Sequence, residues 1–356
     1  MRTGYEQIVA QRASDIFAGT AMQDGVVSEL SEQSIVVKYE DGTERRIELG
    51  KRYGNAQGVT YPHEVVTDFK EGDKVSAGDI IAYNRKFFQP DTFNPGQVVL
   101  KAGILVKTAI IDDIDTLEDG SVISERAAKL LNTQTTEVKT LQVRFDQHVN
   151  DLVKPGDHVD LETILCTIED PETANNPAFD AQSLDVLRRL SAMTPRAKVV
   201  GTVSRIECFY HGEFEDLSEN LQVLVKASDR ARRKRAKALG QKAFTGAVDT
   251  SFRVRGKALD YDTVAIQIYI DHDVSAGTGD KGVFGNQMKT VFSRIMSGVN
   301  ETESGDVLDA KFGNTSIEDR MVLSPKLTGT TNTLLRKLSR HVADAYRGKA
   351  DAKRRT

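Results

Sequence analysis

Short runs of β-branched and apolar residues, separated by Gly, Asp and Pro, recur along most of this chain. The runs at 34–39, 97–100, 103–111, 138–145, 198–210 and 264–270 are predicted to be strands. The last reads Val-Ala-Ile-Gln-Ile-Tyr-Ile, an alternation that suits a strand with one buried face. Helical periodicity is rarer. Ser124 is placed to cap a helix running to Leu131, 183–193 has a helical pattern, and 217–239 is predicted to be a longer, basic helix. Near the end Leu335, Leu338, Val342 and Tyr346 share one helical face, and Gly348 follows as a stop. The stretch 171–182, PETANNPAFDAQ, reads as an exposed loop.

One similarity is internal. Gly72-Asp73-Lys74-Val75 precedes Ile80-Ile81, and Gly156-Asp157-His158-Val159 precedes Ile164-Leu165 at the same spacing. A Gly-Asp turn reverses the chain between two short strands, the grammar of barrel-sandwich modules. Lipoyl and biotinyl carrier domains share it but need a modified lysine at a hairpin tip, and no such context occurs. The pattern predicts a β-rich α+β protein of two entangled barrel-like modules with inserted helices.

Length and composition narrow the classes. At 356 residues the chain is predicted to hold two or three domains. With 39% hydrophobic and 28% charged residues it reads as a folded, soluble protein. A transmembrane helix and a secretory signal are not expected, since no long apolar run exists and the N-terminus lacks an apolar core. Cys166 and Cys208 sit in apolar runs, so neither a disulfide framework nor a cysteine zinc site is expected, and a reducing compartment fits. Overall charge is balanced, but 229–242 carries seven basic residues against one acid, and 336–355 is also basic. Such blocks are either solvated helix faces or phosphate contacts. Composition leaves both readings open.

Three stretches could carry chemistry. In 277–295, GTGDKGVFGNQMKTVFSRI, four glycines permit a tight loop, with Lys281 and Lys289 eight residues apart around it. Ammonium groups on such a loop can hold phosphate oxygens, although the P-loop ending is missing. A surface turn with solvated lysines is the plain alternative. In 116–124, TLEDGSVIS, Glu118 and Asp119 either mark a turn or sit in a metal's outer shell. In 307–324, Arg320 follows a turn at 313–316. The clusters Asp112-Asp113, Asp260/Asp262 and Asp271-His272-Asp273 resemble metal ligands only by count. Nucleophilic triad, HExxH and CxxC patterns do not stand out.

Taken in order, these stretches resemble the C-terminal half of the β subunit of multisubunit DNA-directed RNA polymerases. Arg2-Thr3-Gly4-Tyr5-Glu6 is similar to that family's G-T-G-x-E, and the strands at 24–27, 35–37 and 47–49 follow it. Val75-Ser76-Ala77-Gly78-Asp79-Ile80 resembles V-x-x-G-D-[IV]. Glu118-Asp119 with Val122-Ile123-Ser124-Glu125 resembles E-D-[SA]-x-x-[IV]-S-E. Gly279-Asp280-Lys281 with Lys289 reproduces G-D-K and its second lysine, and Asp309 keeps its interval to Arg320-Met321. The loop GVFGNQM departs from the family's R-H-G-N, and the flap insertion and clamp-anchoring end look shortened or replaced. The chain begins where a full β subunit would be mid-sequence, which resembles the split subunits of giant-bacteriophage polymerases.

This resemblance implies a double-psi β-barrel from 80–125 and 250–330, N-terminal strands over 1–79, a flap or sandwich-barrel insertion over 126–249 and peripheral helices with a basic tail over 331–356. It implies that Lys281 and Lys289 contact the RNA 3′ end and the α-phosphate, and that Arg320 holds the triphosphate. Glu118 and Asp119 would lie in the outer shell of a second Mg2+, with the metal ligands on β′, no direct metal ligand here and no zinc. Implied partners are an N-terminal β fragment, β′ fragments, a promoter-specificity subunit, template DNA, nascent RNA and nucleoside triphosphates, without a membrane. The setting would be the bacterial host cytoplasm or the virion. Such a subunit would not polymerise alone. The altered lysine loop points to an alternative, a non-catalytic virion or assembly protein keeping the barrel as scaffold. The basic stretches point to a third, a free-standing nucleic-acid-binding barrel.

Overall fold

The computed structural model describes residues 5–91, 94, 96–101, 103–170, 193–285, 287–303, 305–320 and 323–347. The readings at 2–4, the loop at 171–182, the helix at 183–193 apart from Met193, Met321, Gly348 and the tail beyond it lie outside these residues. Among the described residues the protein is β-rich, with 23 strands and five α-helices. No described helix is long and apolar enough to cross a membrane. Strands form at Ser34–Tyr39, Val98–Leu100, Asn132–Arg144, Gly201–His211 and Thr263–Ser275, where alternation predicts them.

The run at 103–111 differs. It is a strand only over Thr108–Ile110. Ile104 and Val106 pack on Ile123, Ala127 and Phe292 without pairing in a sheet. What holds this stretch is Asp309: its carboxylate accepts from the Lys107 N–H at 3.1 Å, and the Lys107 carbonyl accepts from the Asp309 N–H at 2.9 Å. Apolar spacing here records packing and not a ladder.

The chain separates into two compact units, each built from sequence-distant segments. The larger takes its described residues from within 5–101 and 134–274, and the smaller from within 103–133 and 275–347.

In the larger unit an eight-stranded sheet runs in the order Ala18–Thr20, Ile80–Asn84, Val59–Val66, Asn132–Arg144, Thr263–Ser275, Gly201–His211, His158–Val159, with Gly50–Ala56 paired to Val59–Val66. A four-stranded sheet holds Glu44–Glu48, Ser34–Tyr39, Gly25–Leu30 and Lys74–Val75. The two Gly-Asp turns are copies of one structure. Gly72 and Gly156 take left-handed backbones, with φ of 87° and 101°, which glycine adopts without steric cost. The Asp73 and Asp157 carboxylates accept from the Lys70 and Lys154 N–H groups, each at 2.7 Å. The Gly72 and Gly156 N–H groups donate to the Val27 and Val203 carbonyls at 2.9 and 2.7 Å. Beyond the turns, Val75 pairs with Gly25 and Val159 with Gly201. A Cβ on Gly25 would lie 2.5 Å from the Lys38 carbonyl oxygen, and one on Gly201 would lie 2.4 Å from that of Asp271. The receiving strand precedes the turn in one copy and follows it in the other. Ile81 and Leu165 are fully buried in the two resulting cores.

In the smaller unit a five-stranded mixed sheet runs Thr108–Ile110, Ala310–Phe312, Gly120–Ser124, Met288–Met296, Lys281–Phe284. The outer pair Thr108–Ile110/Ala310–Phe312 and the inner pair Gly120–Ser124/Met288–Met296 are parallel, and the others are antiparallel. Ser124 caps the helix Glu125–Leu130, its hydroxyl accepting from the Ala127 N–H at 3.1 Å. The helix Ser324–Tyr346 begins with Pro325 in its first turn and buries none of its residues. Its stripe of Leu334, Leu335, Leu338, Val342 and Tyr346 is exposed.

These contacts set opposite signs for two kinds of glycine substitution. Gly25→Ala and Gly201→Ala are each expected to lower stability by about 1–3 kcal/mol, because the obstructing atom is backbone. Gly329→Ala, on an open helix face, should raise stability by up to about 1 kcal/mol. Urea denaturation of the chain checks both.

Candidate functional site

Three stretches of the smaller unit converge. The first is the loop 111–120. The Thr116 hydroxyl donates to the Ile111 carbonyl and accepts from the Asp113 N–H, both at 2.9 Å. Lys311 pairs with Asp113 and lies 3.9 Å from Asp115, which also pairs with Arg294 at 2.8 Å. Asp112 accepts from the Thr315 N–H at 3.0 Å. The Lys311 ammonium holds the Asp113 carboxyl below its usual pKa, aided by the Asp115 N–H and the Thr116 hydroxyl. These aspartates, metal-like by count, are consumed in shaping the loop. Among the described residues no group of three His, Cys, Asp or Glu could hold a metal.

The loop ends on Glu118, whose φ is 51°, and among the described residues of this unit it is the non-glycine with a left-handed backbone. That conformation costs of order 1 kcal/mol and persists where surroundings impose it. Here the Ser316 hydroxyl donates to the Glu118 carbonyl, while the Asp119 carbonyl accepts from the Thr290 hydroxyl at 2.7 Å and the Val291 N–H at 2.9 Å. The Glu118 carboxylate is exposed and has no partner among the described residues.

The second stretch is the hairpin Lys281–Phe284/Met288–Met296. The Asp280 carboxylate closes the turn before it, accepting from the Gly277 N–H at 2.7 Å. Gly282 is required because a Cβ would sit 2.6 Å from the Phe292 ring. Lys281 pairs with Val291 and Lys289 with Val283, so both lysines lie on one face of the hairpin. That face is exposed, while Met288, Thr290 and Phe292 fill the other. Neither ammonium has an ion-pair partner among the described residues. The third stretch is the helix Asn314–Asp319, at whose end Arg320 donates to the Asp119 carboxylate and, at 2.8 Å, to the Lys289 carbonyl.

All five sequence-predicted residues therefore belong to this unit, and Arg320 ties the Glu118-Asp119 loop to the lysine hairpin. The arrangement is a solvent-open surface of mixed charge, where two ammonium groups without ion-pair partners among the described residues and an acid-paired guanidinium offer donors to an anion with several oxygens. Sequence reading missed Arg126, which pairs with the buried Asp309, and Lys311 and Ser316, which hold the loop. Their contacts span roughly 180–200 residues, so no local pattern announces them. Asp271-His272-Asp273, in the larger unit, is also structural: Asp271 pairs with Lys51 and accepts from Thr136, each at 2.6 Å, and Asp273 accepts from Gln134 at 3.1 Å.

No family model matches the sequence. Part of the chain is similar to the DNA-directed RNA polymerase subunit beta of several bacteria. That of Leifsonia xyli subsp. xyli (strain CTCB07) is 33% identical over 127 residues, covering 36% of this chain and 10% of the relative. That of Paenarthrobacter aurescens (strain TC1) is 32% identical over 124 residues, and that of Arthrobacter sp. (strain FB24) 31% over 124, each covering 35% of this chain and 10% of the relative. The matched stretch spans about a tenth of the length of these relatives.

Because Asp113 is depressed in the fold, its contribution to stability is present above the unfolded carboxyl value of about 3.9 and lost as pH falls through the lower folded value. Lys311→Met should return the Asp113 titration towards the ordinary range, read by carbon-13 NMR of its carboxyl.

Proposed function

We propose that this chain is a β-type fragment of a DNA-dependent RNA polymerase of the split-subunit kind encoded by giant bacteriophages. It would supply cationic groups to nucleotidyl transfer. The observation that carries this reading is the convergence of Glu118-Asp119, Lys281, Lys289 and Arg320, the residues of the polymerase-like motifs, in one unit of a chain partly similar to β subunits. The mixed sheet of this unit, with its two parallel pairs, supports part of the double-psi barrel expected over 80–125 and 250–330, whose segments 80–101 and 250–274 belong to the larger unit.

In this reading the RNA 3′-hydroxyl attacks the α-phosphorus of a nucleoside triphosphate and pyrophosphate leaves. Lys281 and Lys289 hold the 3′ end and the α-phosphate, stabilising charge that builds on the phosphoryl oxygens. Arg320 turns its guanidinium fork to the triphosphate, with Asp119 and the Lys289 carbonyl fixing its position. Magnesium, when bound, supplies Lewis-acid activation. The resemblance to the polymerase family implies that its ligands lie on a partner β′ chain, with Glu118 and Asp119 reaching it through water. The N-terminal β fragment, β′ fragments, template DNA and nascent RNA complete the assembly. The exposed apolar stripe of Ser324–Tyr346 fits a chain that has partners. A second reading, a non-catalytic virion or assembly scaffold, is favoured by the altered lysine loop, where Phe284 packs at 5.3 Å on Phe312.

The test is ribonucleotide incorporation on DNA by the complex that co-purifies with the tagged chain. Lys281→Ala and Lys289→Ala should each slow synthesis by roughly 10²–10³ without loss of partners. Arg320→Ala should raise the KM for nucleoside triphosphates while lowering stability by about 1 kcal/mol, since the half-buried guanidinium pairs with an exposed carboxylate. Synthesis indifferent to both lysines would leave the scaffold reading standing instead.

A further inference from the structure

The basic run at 229–242 lies mostly on the helix Glu219–Leu239 of the larger unit, and the fold divides its charges into two sets. One set is structural. Arg232 pairs with the buried Asp229 at 2.8 Å, donates to the Cys208 carbonyl at 2.7 Å and stacks 4.4 Å over the Phe209 ring. Arg235 pairs with Glu48 at 2.6 Å. Lys234 reaches Glu32 at 3.5 Å. The other set points away. Arg230, Arg233 and Lys237 are exposed and have no ion-pair partner among the described residues. One turn earlier Lys226 is also exposed, 5.1 Å over the Phe214 ring and without a carboxylate.

Positions 226, 230, 233 and 237 advance by four, three and four residues. At 100° and 1.5 Å per residue they fall within about 60° of one another along about 16 Å of helix. Like charges at this spacing repel and weaken a helix. The opposite face carries the compensating cost, burying Leu221, Val225, Ser228 and Asp229 against the sheet. Acids gather at both ends of the row: Glu219 on the helix and Glu213, Glu215 and Asp216 around the Phe214 ring under Lys226 at one, and Glu29 and Glu71 in a groove with Lys237 at the other. The centre of the row is therefore Arg230 and Arg233.

We infer that this face of the helix is a docking surface for a nucleic-acid strand, held through its phosphates and not through its bases. A line of cations matches a line of phosphates and needs nothing else to bind one. A protein partner would call for aromatic or apolar anchors and disfavours lysine. Val223 is the large apolar residue bordering this face. Adenine reading would call for a free amide, yet the Gln222 amide donates to the Leu217 carbonyl at 3.0 Å, which leaves cations in a line, the arrangement that follows a phosphate backbone. The inference stands apart from the polymerase reading, since it concerns the other unit and none of the residues named there.

The experiment uses the full chain with fluorescent random-sequence oligonucleotides, single-stranded DNA, RNA and duplex, titrated between about 50 and 200 mM salt. Arg230→Gln/Arg233→Gln should bind roughly tenfold more weakly, and the slope of log affinity against log salt should shrink by about 2. Arg230→Lys/Arg233→Lys should keep the slope, and equal thermal unfolding of the variants would show the fold intact. Lys281→Ala/Lys289→Ala run alongside separates this surface from the other site. Unchanged affinity and slope in the glutamine variant would overturn the inference, as would row-dependent binding to poly-glutamate that equals or exceeds binding to nucleic acid.

Discussion

The smaller unit depends on a buried carboxylate. Asp309 is only 2% exposed, yet it accepts from the Arg126 guanidinium and the Lys107 N–H, and its backbone binds Lys107 again and the Ser124 N–H at 2.7 Å. It thereby fastens a segment near residue 310 to two points near 107 and 125. The Arg126 side chain is exposed, so removing it costs less than breaking a fully buried pair, about 1–3 kcal/mol for a buried carboxylate left with the Lys107 N–H alone. Without Asp309 the parallel pairing of Thr108–Ile110 with Ala310–Phe312 loses its anchor, and with that pairing goes the loop that ends on Glu118.

That fastening explains how a chain with few local signals can present a defined charged surface. Loop 111–120 is shaped by bonds within itself, but its position comes from Lys311, Thr315 and Ser316. The hairpin with Lys281 and Lys289 is shaped by Asp280 and by the Gly282–Phe292 contact, and its position comes from the parallel pairing of Met288–Met296 with Gly120–Ser124. Each piece is locally rigid and distantly placed. Arg320 then reaches both.

What could be read in the sequence divides along the same line. Strands with one buried face, the Ser124 cap and the Gly-Asp turns rest on interactions within a few residues, and their residue types declare them. The repeat at Gly72 and Gly156 was visible as spacing; its permuted order was not, because the receiving strands at Gly25 and Gly201 lie on opposite sides of their turns. The apolar run at 103–107 mimicked a strand because packing on Ile123 and Phe292 demands the same residues a ladder would. Asp112, Asp113 and Asp271 looked like metal ligands because a sequence does not show which cation answers each acid. The five site residues were reached through family-like motifs, not through periodicity.

The segmental construction has a consequence in time. During synthesis the strand Gly120–Ser124 emerges long before its partners Met288–Met296 and Ala310–Phe312. The roughly 160 residues before the first of these partners take about 8–33 s to translate at ordinary ribosomal speeds. For that interval a strand whose Val122 and Ile123 are later fully buried waits with open edges, a nascent-chain state that invites mispairing. Ribosome-associated chaperones, or a slow-translating stretch before residue 275, would decide how much of the product reaches the native pairing.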